Sequence, residues 1–148
     1  MLRNGRVLPF SDRKAQQLNL AFRVVRKFVS QADSRLLWVK LSVGCDEIDA
    51  FRIANPGTIG LRSLMHVGHL PNTVCALQIC GGLPANYLIG LMLHEFGHLG
   101  SGGGEREADR WIRDRFKIPI YYRSKLDIEW VSDRDMGRIA RAGRSEIR

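Results

Sequence analysis

Between Asp12 and Gln31 the apolar positions Leu18, Ala21, Phe22, Val25, Phe28 and Val29 recur at spacings of three and four, with polar residues between them. That is the period of an α-helix with one buried face, and Ser11 stands where an N-capping side chain belongs. LLWVKLSV (36–43) is rich in apolar and β-branched residues and predicts a strand. TIGLRSL (58–64) and VCALQIC (74–80) predict two more, bounded by the turn Asn55-Pro56-Gly57 and by Gly81-Gly82. The segment 44–57 gives a mixed pattern, and HVGHLPN (66–72) reads as a loop.

LPANYLIGLMLHEFGHLG (83–100) is apolar on almost every side. It predicts a central, buried helix with Pro84 in the first turn, where a missing N–H costs little. EREADRWIRDRFK (105–117) predicts a charged amphipathic helix stopped by Pro119, and LDIEWVSDRDMGRIARAG (126–143) contains a further helix. Residues 143–148 are expected to fray. A helix, several strands, a buried helix and then more helices is an α+β order. Without an internal repeat or a long linker, residues 1–148 form a single domain in this reading.

Composition agrees with an ordinary globular chain. At 148 residues folding can bury roughly 68–70% of the unfolded surface. The net charge of +8 is uneven, because residues 51–100 contain only Arg52, Arg62 and Glu95 as charged residues. That charge-poor third is the expected interior. Arginine makes up 18 of the 23 basic residues, which suits phosphate or carboxylate contacts. The basic residues alternate with acids, however, as in EREADRWIRDR, so a solvated helical surface explains them better than nucleic-acid binding does. No run approaches the roughly 20 apolar residues that span a bilayer, and the first residues lack a signal-peptide pattern. The expectation is a soluble, cytoplasmic protein without a membrane partner. Cys45, Cys75 and Cys80 cannot all pair and form no CxxC, so they read as reduced, apolar side chains.

The chemistry is concentrated in LMLHEFGHLGSGGGEREADRW (91–111). On a helix, residues four apart differ by about 40° in direction and about 6 Å in height. His94 and His98 therefore project from one face and can share a tetrahedral Zn²⁺. Glu95, about 100° further round, cannot easily ligate that ion but can reach a water on its open side, as a general base must. HExxH arises by chance in roughly one chain of this length in a few hundred. Here it lies in the chain's most apolar helix, where three polar groups need partners.

Catalytic zinc usually has three protein ligands and one open position. The glycine-rich break at 100–104 can end one helix and turn the chain through positive φ. Beyond it, Glu105 and Asp109 share a face with Ala108, Ile112 and Phe116, whereas Glu107 lies nearly opposite. Glu105 is thus the expected third ligand. Asp109 is placed to accept the second imidazole proton of a ligand histidine, fixing its tautomer.

HEFGH followed by Glu105 and Asp109 in EREAD resembles the gluzincin zinc metallopeptidases, nearest to the ImmA/IrrE-like and minimal gluzincin groups. The match is sharp over 94–109 and topological over about 12–116. The interval from His98 to Glu105 is shorter than in many relatives. The metzincin pattern HExxHxxGxxH does not fit, since Ser101 and Gly104 occupy its later positions. The resemblance implies a zincin-like fold, a small twisted mixed sheet packed on an active-site helix with flanking helices. It also implies zinc held by His94, His98 and Glu105, with Glu95 as the base in cleavage of a peptide bond of a protein substrate. TIGLRSL would be the edge strand that pairs with substrate. Tyr121, Tyr122, Arg123, His66 and His69 are candidates for oxyanion stabilisation. The alternative is a non-catalytic or nucleic-acid-associated component of a larger assembly, for example of phage or mobile-element origin.

Overall fold

The computed structural model describes residues 2–3, 6–7, 12–43, 59–63, 73–79, 85–123 and 128–144. It is a mixed α+β arrangement in which helices outweigh small sheets. A short antiparallel ribbon, β1 (Leu2–Arg3) and β2 (Arg6–Val7), precedes helix α1 (Asp12–Ser30). The periodic residues of α1 behave as their spacing requires. Leu18, Phe22, Val25, Phe28 and Val29 are buried, and Ala21 packs against the same core. The expected cap, Ser11, lies outside the described residues.

The predicted strand at 36–43 is only half a strand. Ser34–Trp38 forms a 3-10 turn, and strand β3 occupies Lys40–Val43. The cause is local. The Asp33 carboxylate accepts the Arg35 backbone N–H at 3.1 Å, and Leu36 N–H donates to the Asp33 carbonyl at 3.0 Å. An aspartate cap offers the chain a turn that outcompetes extended pairing. Leu36 then enters the core while Trp38 stays 75% exposed. An apolar run alone does not reveal such a split, because it lacks a period.

The other two strands agree with expectation: β4 (Ile59–Ser63) and β5 (Thr73–Ile79). They join β3 in a sheet of order β3-β5-β4, with β5 parallel to β3 and antiparallel to β4. The sheet is mixed, and β4 is an edge strand among the described residues. The segment 44–57, the loop 66–72, Cys45 and Cys80 lie outside the described residues.

Helix α2 (Ala85–Ser101) is the centre of the molecule, and its all-round apolar sequence is the reason. Ile89, Met92, Leu93, Phe96 and Leu99 are buried, and Phe96 stacks on Phe22 with ring centroids 5.4 Å apart. Helix α3 (Glu105–Phe116) buries Ala108, Trp111, Ile112 and Phe116 and leaves its charges outside, apart from the half-buried Asp109. It ends at Lys117, which adopts a left-handed conformation (φ 57°), two residues before Pro119. The guanidinium of Arg138 donates to the Phe116 carbonyl at 2.6 Å, satisfying a helix-end acceptor.

Strands β6 (Tyr121–Arg123) and β7 (Ile128–Trp130) form an antiparallel hairpin that sequence reasoning did not anticipate. The helix expected within 126–143 therefore begins later, as α4 (Asp133–Arg144). Ser132 sets that start, since its hydroxyl accepts the Asp135 N–H at 3.2 Å in a Ser-x-x-Asp cap. Residues 143–144 are the last two of α4, and 145–148, the rest of the segment expected to fray, lie outside the described residues. Among the described residues no helix is long and apolar enough to cross a membrane.

Candidate metal centre

The helix-to-helix turn places the acidic face of α3 over the histidines of α2. Gly102, at φ 67°, donates its N–H to the His98 carbonyl at 2.9 Å and reverses the chain. The two helices then cross with backbone contact. A Cβ on Gly97 would overlap the Ala108 carbonyl, so only glycine allows this approach. Asp109 follows Ala108, and the close crossing lets its short side chain reach His94.

Four of the expected residues converge. His94 is 2% exposed, and its Nδ1–H donates to Asp109 Oδ1 at 2.7 Å. His98 Nδ1–H donates to the Gly103 carbonyl at 3.0 Å. A carbonyl and a carboxylate can only accept, so both imidazoles are fixed with the proton on Nδ1. Their Nε2 atoms then face each other at 3.1 Å, with rings nearly perpendicular at 86°. Glu105 closes the triangle, with Oε2 2.8 Å from His94 Nε2 and Oε1 3.0 Å from His98 Nε2. Donor atoms around a tetrahedral zinc with bonds of about 2.0–2.1 Å stand about 3.3 Å apart. In the metal-free chain a proton on His94 offsets the converging acceptors, and two imidazoles with a carboxylate at these spacings are a donor set that fits zinc.

Glu95 is also buried, and its carboxylate lies within 4.8 Å of ring nitrogens of both histidines. It is thus beside the cluster, as its position on the helix implies. Glu107 is exposed, its side chain lying over Gly103, so it is not the converging acid.

Two participants come from the unforeseen hairpin. Glu129 on β7 is 8% exposed, with Oε1 3.7 Å from His94 Nε2, and with His94 and Glu105 it forms a second group able to hold a metal. The polar-apolar alternation in DIEW was the available signal for a strand, but alternation would assign Glu129 to the solvent side. Tyr122 on β6 donates its hydroxyl to Asp109 and lies 3.4 Å from His94 Nδ1. It therefore braces the far side of His94, away from the Nε2 atoms, and does not fit the expected oxyanion role. Tyr121 stacks on Trp130 at 4.7 Å, while His66 and His69 lie outside the described residues, as does the side chain of Arg123.

Burial opposes protonation of His94, but the hydrogen bond to Asp109 and the charges of Glu129, Glu95 and Asp109 outweigh it, raising its pKa to about 9. Burial pushes the Glu129 carboxyl up to about 7, with Glu95 and Asp109 adding to the effect and His94 opposing it. Burial and the Asp109 carboxylate likewise raise the Tyr122 hydroxyl. No protein-family model, curated protein or solved structure matches the chain.

These shifts predict how the metal-free protein responds to pH. His94 has a raised folded pKa, so its contribution to stability is full below about 6.5 and is lost as pH rises through about 9. Glu129 has the same sign, favouring the fold below about 4.5 and losing that contribution as pH rises through about 7. Calorimetry with a chelator present should find the unfolding temperature several degrees lower at pH 9 than at pH 6. A flat profile would mean that the two groups do not share a buried environment.

Proposed function

We propose that the chain is a zinc-dependent endopeptidase with a zincin-like fold, cleaving peptide bonds of a protein substrate. One observation carries the reading: the Nε2 atoms of His94 and His98 meet the Glu105 carboxylate in one small volume, with the Nδ1 of each ring held from behind. His94, His98 and Glu105 would hold the metal. Bound zinc supplies Lewis acidity, bringing the pKa of a water toward 7 and polarising a carbonyl.

The chain's own residues supply the rest. Asp109 and the Gly103 carbonyl keep Nδ1 protonated on each histidine, which leaves Nε2 free to donate its lone pair. Glu95 takes a proton from the attacking water and passes it to the leaving amine. The apolar surroundings of α2 limit water around these charges and so strengthen their interactions. Strand β4, at the edge of its sheet, offers backbone N–H and C=O groups to an extended peptide. The mixed sheet and HExxH helix are compatible with the zincin-like part of the reading.

Metal analysis of the purified chain should find about one zinc per molecule. Cleavage of a mixed peptide library, followed by mass spectrometry, should stop on chelation and return with added zinc. A chain that takes up no zinc, or cleavage that ignores the chelator, ends the reading.

A further inference from the structure

The hairpin β6–β7 lies across the histidine-bearing face of α2, and its attachment is built in. A Cβ on Gly90 would stand 2.6 Å from the Trp130 Cα, so the strand runs directly against the helix backbone one turn before His94. At its end, Val131 N–H donates to the Asn86 carbonyl at 3.2 Å, and the Asn86 side chain donates to the Val131 carbonyl at 3.3 Å. Tyr122 and Glu129 are direct cross-strand partners, so both project from the same face of the ribbon. The hydroxyl of Tyr122 is tied to Asp109, which fixes that face toward the cluster.

This registration aims Glu129 at the converged donors. Its Oε1 is 3.7 Å from His94 Nε2, beyond hydrogen-bond reach but close to the spacing of two ligands on one tetrahedral ion. The side chain is 11% exposed, where an uncompensated carboxylate is costly. Glu105, by contrast, has a side chain 76% exposed, so the cluster is open on the α3 side and covered on the hairpin side.

We propose that Glu129 is a fourth protein ligand, giving a His94–His98–Glu105–Glu129 set that closes the coordination sphere at rest. The inference builds on the zinc reading above. A water or substrate carbonyl would then enter only as the Glu129 carboxylate leaves, making the hairpin a latch on activity. Displacement exchanges one oxygen donor for another, and the freed carboxylate stays within the site as a charged acceptor.

The test uses the full chain loaded with zinc or with cobalt(II), whose visible spectrum reports coordination. Wild type is compared with Glu129→Gln and with Glu129→Asp, which keeps the charge but withdraws it by one methylene. Circular dichroism checks that each variant folds, so either one can carry the test. Competition with a chromophoric chelator should show zinc affinity lowered at least about tenfold in the variants. Their cobalt spectra should respond to azide at concentrations that leave wild type unchanged, because the fourth position is already open. Equal zinc affinity and equal azide response in variants and wild type would overturn the fourth-ligand assignment while leaving the three-ligand centre intact. If wild type binds neither metal, the zinc reading fails first and the latch fails with it.

Discussion

His94→Ala should abolish zinc binding and destabilise the metal-free fold as well. The first effect follows from geometry, because His94 Nε2 lies within 3.1 Å of both His98 Nε2 and the Glu105 carboxylate and so sits at the centre of the donor cluster. The second follows from electrostatics. Removing the imidazole leaves Asp109 and the buried Glu129 without the cation that faces them. Breaking a buried pair from one side costs about 3–5 kcal/mol. For a chain of 148 residues that corresponds to a fall in unfolding temperature on the order of 10 °C. The loss should be larger at pH 6 than at pH 9, since the wild-type imidazole is charged at the lower pH and titrates near 9. Thermal unfolding at both pH values, with chelator present, measures it. A variant as stable as wild type at pH 6 would remove His94 from the centre of the charge cluster.

Much of this centre was legible because its parts lie close in sequence and on regular helices. The four-residue step from His94 to His98 fixes a shared face. The same step from Glu105 to Asp109, together with the apolar positions 108, 112 and 116, turns both acids toward the histidines of α2, although Glu105 stays largely exposed. That was enough to anticipate Asp109 at the Nδ1 of a histidine, and the structure has it there on His94. Glu129 was not legible. It is brought to His94 by hairpin pairing with Tyr122 and by a backbone contact at Gly90, and neither leaves a local pattern. Its strand also alternates in a way that suggests an outward acid. The misread of 36–38 has a different origin: a single aspartate cap at Asp33 decided the geometry, and apolar composition does not register caps.

Glu95→Gln should leave the metal centre filled and remove cleavage. Glutamine matches glutamate in volume and occupies the same buried position on α2, between the two histidines, so the fold has little reason to change. His94, His98 and Glu105 are untouched, and zinc content should stay at about one per chain with affinity within a few-fold of wild type. An amide, however, cannot take the proton of the attacking water. General-base catalysis of this kind contributes about 10²–10⁴-fold, and the rate of peptide cleavage should fall by that amount at saturating zinc. The informative comparison is rate per bound zinc, measured on the same peptide library, because it separates loss of the base from loss of metal. Should the variant cleave within about tenfold of wild type while holding its zinc, which is below the contribution of a working base, then Glu95 is not the proton acceptor. Glu129, the other buried carboxylate at the cluster, would be the residue to replace next.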